Sequence, residues 1–184
     1  EGSWRFGDNH KWGTFPAVSL GWRISREPWL KDAKWLNELK LRAGFGITGN
    51  QEIGNYRSLS ILRKGSSNFY YNKKWISTYE PGSNPNPDLR WEKKKEFNVG
   101  LDMSVLDNRL NVTVDYYNRR TKDLLYTYTV PVPPNLYPSK FANVGTIDNK
   151  GIEVTVNATP ISRKNFSWNL AATISHNKNN LVKF

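Results

Sequence analysis

Between residues 97 and 116 the chain reads FNVGLDMSVLDNRLNVTVDY, and apolar residues alternate there with small or polar ones. A period of two residues is typical of a β-strand that has one apolar face. The alternation breaks at Asp107-Asn108, two residue types that accept the positive φ angles of a two-residue hairpin turn. We therefore predict an antiparallel hairpin in which Val105 faces Leu110, with arms about long enough to cross a bilayer as tilted strands.

Four more segments alternate in the same way, and we predict that each contains a strand: 18–25, 39–48, 152–158 and 166–174. The connections between strands are alternately short and long. Of the long ones, 49–90 is rich in Gly, Asn, Ser and Pro and is expected to be irregular, and 127–149 is rich in proline. Short turns at one end and long loops at the other are typical of outer-membrane barrels. The alternation alone fits equally well a soluble β-sandwich, in which two apolar faces pack together.

The composition limits the classes of protein to which the chain can belong. Of its 184 residues 38% are hydrophobic, and no run approaches the about 18 apolar residues of a transmembrane helix, so any membrane span would use strands. The net charge is +11, but Lys and Arg are scattered without a nucleic-acid-binding motif, and we expect no nucleic acid as a partner. The absence of cysteine excludes disulfides and thiolate sites.

The sequence offers no constellation of residues for catalysis. Its histidines, His10 and His176, have neither Cys nor paired carboxylates at metal-ligand spacing nearby. Gly44, Gly46 and Gly49 are not followed by the Lys-Ser or Lys-Thr of a phosphate-binding loop, and a serine-nucleophile motif is missing. We therefore predict no catalytic residue, metal site or cofactor, and we expect that the chain is not an enzyme.

Several longer stretches of the sequence are more specific than its periodicity. They follow one another in the order FPAVSLGWRIS (15–25), WLNELKLRAGFGITGNQ (35–51), NPDLRWE (86–92), DYYNRRTKDLL (115–125) and NVGTIDNKGIE (143–153). Together they resemble the barrel of SusC/RagA-type TonB-dependent outer-membrane transporters. Agreement of several motifs in one order is far more specific than a single short match.

This resemblance implies an all-β fold of antiparallel up-and-down strands that form part of a large transmembrane β-barrel, of about 22 strands, closed around a plug. Residues 1–184 would then be a fragment of the barrel, with the plug domain and the remaining strands outside it. The resemblance also implies import of oligosaccharides or peptides across the outer membrane of a Gram-negative bacterium, energy from the TonB complex, and a SusD-like lipoprotein as partner.

The predicted hairpin register places like charges opposite each other just beyond the apolar span. Lys95 lies opposite Arg120, and Lys93 lies opposite Lys122. Because like charges in cross-strand pairs repel, we hypothesise that these four residues form an outer-leaflet rim that contacts lipopolysaccharide phosphates. The alternative is a bulge near Asn118 that shifts the register and leaves the four residues solvated.

Aromatic residues are frequent in the first long loop and are candidates for substrate binding: Phe69, Tyr70, Tyr71, Trp75 and Tyr79. Their flat rings could stack on a sugar face, although packing of the loop against itself would explain them as well. If the chain were instead a soluble carbohydrate-binding β-sandwich, Trp75 and its neighbours would form the binding platform. Solubility without detergent would distinguish the two functions.

Overall fold

The computed structural model describes residues 1–184, which form ten β-strands and two short 3₁₀ turns. The strands are β1 (Ala17–Arg23), β2 (Leu36–Asn50), β3 (Leu62–Tyr71), β4 (Lys74–Pro81), β5 (Glu92–Val105), β6 (Leu110–Lys122), β7 (Leu125–Thr129), β8 (Ser139–Asn143), β9 (Thr146–Arg163) and β10 (Phe166–Lys183). The 3₁₀ turns are Asp8–His10 and Ile24–Arg26. No helical segment has the length and apolar character that crossing a membrane would require.

Six strands form one antiparallel sheet in the order β1-β2-β5-β6-β9-β10. Each strand pairs with its neighbour in the chain once the two hairpins β3–β4 and β7–β8 are set aside, so the sheet is an up-and-down meander. Both hairpins leave the sheet at the same end, which we call the loop end. The short connections between strands lie at the opposite end, which we call the turn end. The predicted all-β, antiparallel fold class is therefore confirmed.

The expectation of an irregular first loop was wrong, and the second long loop also contains paired strands. Strands β3 and β4 pair within the first, and β7 and β8 pair within the second. Their side chains are largely exposed on both faces of the hairpin, as in β3, where only Gly65 is even partly buried. Apolar and polar residues do not alternate in β3 or β4, and β7 and β8 have only five residues each, so the sequence pattern did not reveal these strands.

The central hairpin has the predicted register. Val105 pairs with Leu110, and pairing continues without interruption to Lys93 and Lys122, which excludes the alternative of a bulge near Asn118. The predicted two-residue turn is longer than expected: four residues connect the strands, 106–109, and Leu106 has a positive φ angle of 57° beside the 53° of Asp107 and the 63° of Asn108.

The six-stranded sheet has two chemically different faces. The middle row of its apolar face takes one residue from each strand: Trp22, Leu41, Leu101, Val114, Val154 and Ile174. The next row along the strands lies on the polar face: Gly21, Arg42, Gly100, Asp115, Glu153 and Ser175. No second layer covers the apolar face, where Leu170 and Ile174 are 45% and 74% exposed. The β-sandwich alternative is therefore not supported, because its core would bury these residues.

The buried core of the chain lies at the loop end and not on the sheet. It is formed by Phe6, Ile53, Leu89 and Trp91, with Phe15, Leu125 and Phe141 packed against it. The Trp91 ring lies 5.0 Å from the rings of both Phe6 and Phe15, and its Nε1 donates a hydrogen bond to the Lys11 carbonyl at 3.2 Å. This cluster joins the N-terminal segment to both long loops and gives the loop end a fixed base.

Candidate functional site

Asparagine side chains fasten the two long loops to each other at the loop end. The Asn84 amide nitrogen donates to the carbonyls of Tyr137 and Ser139 at 2.7 and 2.8 Å, and its oxygen accepts from the backbone N–H groups of Leu136 and Tyr137 at 2.9 and 3.2 Å. Asn86 donates in the same way to the Phe141 carbonyl at 3.0 Å. The first loop thus lies beside β8 as if it were a further strand, held by side chains in place of backbone groups.

A second set of polar contacts closes the same loops near the sheet. Asn143 donates to the carbonyls of Arg90 and Asp123 at 2.7 and 2.9 Å, and it accepts from the Arg90 N–H at 2.9 Å. The Arg90 guanidinium donates to Asp123 at 2.7 Å, and this hydrogen bond raises the pKa of Arg90 above its ordinary value. Together with the buried cluster, these contacts hold the β3–β4 hairpin on a stable base.

The β3–β4 hairpin carries the aromatic residues that the sequence singled out, but it divides them between its two faces. Tyr70 pairs with Trp75, and Tyr79 follows Trp75 on the same face of β4. Phe69 and Tyr71 lie on the opposite face because side chains alternate along a strand. The structure therefore brings three of the five candidates together and separates the other two from them.

The three residues on one face form what we call the aromatic face: Tyr70, Trp75 and Tyr79. The Tyr70 and Trp75 ring centroids are 5.3 Å apart at an interplanar angle of 58°. Trp75 and Tyr79 are four residues apart on one strand, which corresponds to about 13 Å. Trp75 is 73% exposed, so packing within the loop leaves most of its surface free for a ligand.

The polar face of the sheet contains a charged network centred on Arg42. Its Nε donates to Asp102 at 2.7 Å, and its Nη2 donates to Asp102 at 3.0 Å and to Asp115 at 2.9 Å. Arg42 thereby links β2, β5 and β6. Gly100 lies between Arg42 and Asp115 in the register, where an added Cβ would stand 2.6 Å from Arg42 Nη2 and 2.5 Å from Asp115 Oδ1. The missing side chain at Gly100 is what lets the guanidinium reach across β5.

We expect the full-length protein with Gly100→Ala to be about 1 kcal/mol less stable than the same protein with Gly46→Ala. Gly46 also lies on the polar face, but its added Cβ would make an ordinary contact of 3.5 Å with Ala17, so this variant is expected to be neutral or stabilising. In Gly100→Ala the methyl displaces the guanidinium from Asp115, and the figure is small because these side chains are 38% exposed. Equal urea midpoints for the two variants would contradict this role of Gly100.

The four basic residues of the hypothesised rim lie as the register predicted. Lys95 is opposite Arg120, and Lys93 is opposite Lys122, on the same face as the apolar residues and toward the loop end. Arg120 also forms an ion pair with Asp148 of β9 at 2.5 Å. Lys93, Lys95 and Lys122 form no ion pair. The two histidines are far apart in the chain, and no group of three or more His, Cys, Asp or Glu side chains could hold a metal ion.

The sequence reasoning missed the asparagines that join the loops. The signal was the segment Asn84-Pro85-Asn86-Pro87, since proline has no N–H with which to pair to a neighbouring strand. An Asn that alternates with Pro can supply the missing donor from its side chain. The role of Gly100 left no comparable signal, because it depends on which residues face it from β2 and β6.

Comparisons with known proteins agree on one family. Residues 2–182 match the family model described as TonB dependent receptor-like, beta-barrel. Over 184 residues, the whole chain is 41% identical to TonB-dependent receptor P39 of Formosa agariphila, covering 17% of that protein. It is also 39% identical over 186 residues to TonB-dependent receptor SusC of Bacteroides thetaiotaomicron, of which it covers 18%.

A solved structure has the same fold. The RagAB peptide importer in its "closed-closed" state superposes on 98% of this chain with a TM-score of 0.86 and 30% identity, and the match covers 19% of that chain. The chain thus spans less than a fifth of the length of the relatives it matches.

Proposed function

Since the chain belongs to the TonB-dependent receptor-like β-barrel family, we propose that it forms part of the wall of an outer-membrane transporter that imports nutrients into a Gram-negative bacterium. The transporter would draw energy from the TonB complex through parts of the protein outside residues 1–184. Its substrate would be an oligosaccharide, and a SusD-like lipoprotein would cover its loop end. Transport, and not catalysis, is the activity of this protein.

The observation that carries this proposal is the single-layered sheet with one apolar and one polar face. A soluble domain would cover apolar side chains of the inner strands such as Phe97 and Ile152, yet these are 46% and 44% exposed. In a lipid bilayer such a face contacts acyl chains and exposes no apolar surface to water. The charged network on the other face suits a hydrated barrel lumen. The long loops at one end would then extend outside the cell.

The aromatic face supports an oligosaccharide as the substrate. Trp75 and Tyr79 are separated by Ser77, whose hydroxyl lies on the same face, and Asn68 lies opposite Ser77. Flat rings about 13 Å apart, with hydroxyl and amide groups between them, suit a chain of two or three sugar rings whose apolar faces stack while their hydroxyls form hydrogen bonds. One solved relative is named a peptide importer, so a peptide is the alternative substrate that the experiment has to include.

The transport function can be tested in cells that carry the full-length gene as their only copy. We expect labelled oligosaccharide to accumulate in these cells, and we expect deletion of the gene or loss of TonB to abolish accumulation. A labelled peptide of similar size serves as the comparison substrate. Uptake of the peptide but not of the oligosaccharide would overturn the substrate proposal, and uptake that persists without TonB would overturn the mechanism.

We expect Trp75→Ala to weaken oligosaccharide binding by the full-length transporter about tenfold, because the largest ring of the aromatic face is lost. Tyr71→Ala is the matched control, since Tyr71 is 67% exposed on the same hairpin but lies on the opposite face. Isothermal titration of both variants measures the difference. If the two substitutions weaken binding equally, or if neither does, the aromatic face is not the binding surface.

A further inference from the structure

Charges are distributed unequally between the two faces of the six-stranded sheet. The acidic residues of these strands lie on the polar face, with one exception, Asp148: Glu38, Glu92, Glu96, Asp102, Asp115 and Glu153. On the other face, the three rows nearest the loop end carry several basic residues and a single acid, Asp148. The sheet therefore presents a cationic band directly beside its apolar face.

Three pairs of like charges stand directly opposite each other in this band. Lys93 pairs with Lys122 and Lys95 pairs with Arg120 between β5 and β6. Lys150 pairs with Lys178 between β9 and β10, a pair that the sequence pattern had not indicated. Directly opposed like charges destabilise a sheet, so such a set is unfavourable unless anions are held against it.

The six basic residues form one patch, because Asn118 of β6 pairs with Lys150 of β9 and continues the band across the sheet. The patch covers three rows along the strands and four strands across them, an area of about 14 by 15 Å. All six side chains are exposed. Asp148 is the single acid among them, and its bidentate contact with Arg120 fixes the guanidinium and leaves the five lysines without an ion pair.

We propose that these residues, Lys93, Lys95, Arg120, Lys122, Lys150 and Lys178, form a binding site for the phosphate groups of an outer-leaflet glycolipid, that is, the headgroup of lipopolysaccharide. The inference rests on the proposed membrane span. The apolar face, on the turn-end side of the patch, would contact the acyl chains. The patch would then contact the headgroup at the boundary between the hydrocarbon and the headgroup region of the outer leaflet. Phosphate is the anion that suits several converging ammonium groups and a guanidinium.

The position of the patch favours a lipid over a soluble anion. A site for free phosphate needs donors that surround the ion, whereas these side chains lie on an open, outward surface. Because the patch adjoins the apolar face, a single lipid molecule could contact the patch with its charged headgroup and the apolar face with its acyl chains. On the polar face, which a transported anion would meet, basic residues such as Arg42 and Arg119 are already ion-paired with acidic residues of the same face.

The test uses the full-length transporter in phosphatidylcholine nanodiscs, with purified lipopolysaccharide as the probe and bound lipid measured by native mass spectrometry. We expect a variant with Lys93→Gln, Lys122→Gln, Lys150→Gln and Lys178→Gln to bind the lipid at least about tenfold more weakly. The control variant removes the same number of charges at the turn end: Arg26→Gln, Lys31→Gln, Lys34→Gln and Lys164→Gln. The control is expected to bind as the unaltered protein does.

Chemically dephosphorylated lipopolysaccharide and inorganic phosphate complete the experiment. The unaltered protein is expected to bind the dephosphorylated lipid about as weakly as the four-lysine variant binds the intact one. Equal binding of the two lipids, an equal loss in the control variant, or displacement of the lipid by an equal concentration of inorganic phosphate would each overturn the proposal.

Two further measurements separate this inference from folding and from transport. In detergent without lipid, the four-lysine variant is expected to unfold at the same or a higher temperature, because opposed like charges have been removed. If it does not fold, the pairs Lys93→Gln with Lys122→Gln and Lys150→Gln with Lys178→Gln are tested separately, each with an expected loss of about threefold or more. Oligosaccharide uptake by the unaltered protein is measured independently. Loss of uptake would contradict the proposed function, whereas the lipid-binding result tests only the glycolipid site.

Discussion

Val114→Arg is expected to lower the unfolding free energy of the full-length transporter by about 2–4 kcal/mol, the cost of an arginine at the bilayer midplane on a lipid-facing strand position. Val114 lies in the middle row of the apolar face, with Leu101 and Val154 as its cross-strand neighbours. An arginine there is too far from either membrane surface to extend its guanidinium fully into water. The substitution therefore measures directly whether this face contacts lipid.

Thr113→Arg is the matched control for this prediction. Thr113 is the preceding residue of β6 and lies on the polar face between Asp102 and Thr155, where an arginine gains an acidic neighbour. We expect a change of less than about 1 kcal/mol. Urea unfolding in phospholipid vesicles, followed by heat-modifiable mobility on gels, compares the two variants. An equal cost for both, or a larger cost for Thr113→Arg, would show that the apolar face does not contact lipid.

The sheet could be predicted from the sequence because each of its strands has a single apolar face. In β5 and β6 the alternation, the turn at Asp107-Asn108 and the paired lengths agreed on one register, which the structure confirms from Val105 to Lys93. A shift of one residue would have moved every apolar side chain to the polar face. Strand ends were harder to predict, since β9 continues beyond Ala158 to Arg163 and β10 continues beyond Ile174 to Lys183 through positions that no longer alternate.

The loop end could not be predicted in the same way, because its contacts join segments far apart in the chain. Phe6, Leu89 and Trp91 are buried together although more than eighty residues separate the first from the others in sequence. No local period marks such a cluster. For the same reason the aromatic residues were found as a group, while their division between two faces followed only from the pairing of β3 with β4.

On the polar face, the residue types were visible in the sequence but their partners were not. In the sequence, Gly100 is one of the small residues that alternate with the apolar ones of β5. The structure gives a reason for glycine at this position, because the space above it is filled by the Arg42 guanidinium on its way to Asp115. This contact could be predicted only if the order of β2, β5 and β6 in the sheet were known, and alternation within a single strand does not reveal that order.

Asn84→Asp is expected to destabilise the joined loops by about 2–4 kcal/mol in the full-length transporter. Asn84 is 9% exposed, and its amide nitrogen donates to the carbonyls of Tyr137 and Ser139. The carboxylate of the variant can still accept from the backbone, but its second oxygen would face two carbonyl oxygens with no donor between them. A buried acceptor left in that position costs its desolvation as well as the two lost hydrogen bonds.

Hydrogen exchange followed by mass spectrometry measures this effect on the peptide that contains residues 131–143. Because Pro85 and Pro87 cannot donate from the backbone, the Asn84 side chain carries much of the link between the loops, and a loss of about 3 kcal/mol would speed exchange about hundredfold. Asn135→Asp is the control, since the partly buried Asn135 makes a single side-chain hydrogen bond, which it donates to the Pro131 carbonyl at 3.0 Å. Unchanged exchange in Asn84→Asp would mean that the buried cluster around Trp91 holds the loops together without the asparagines.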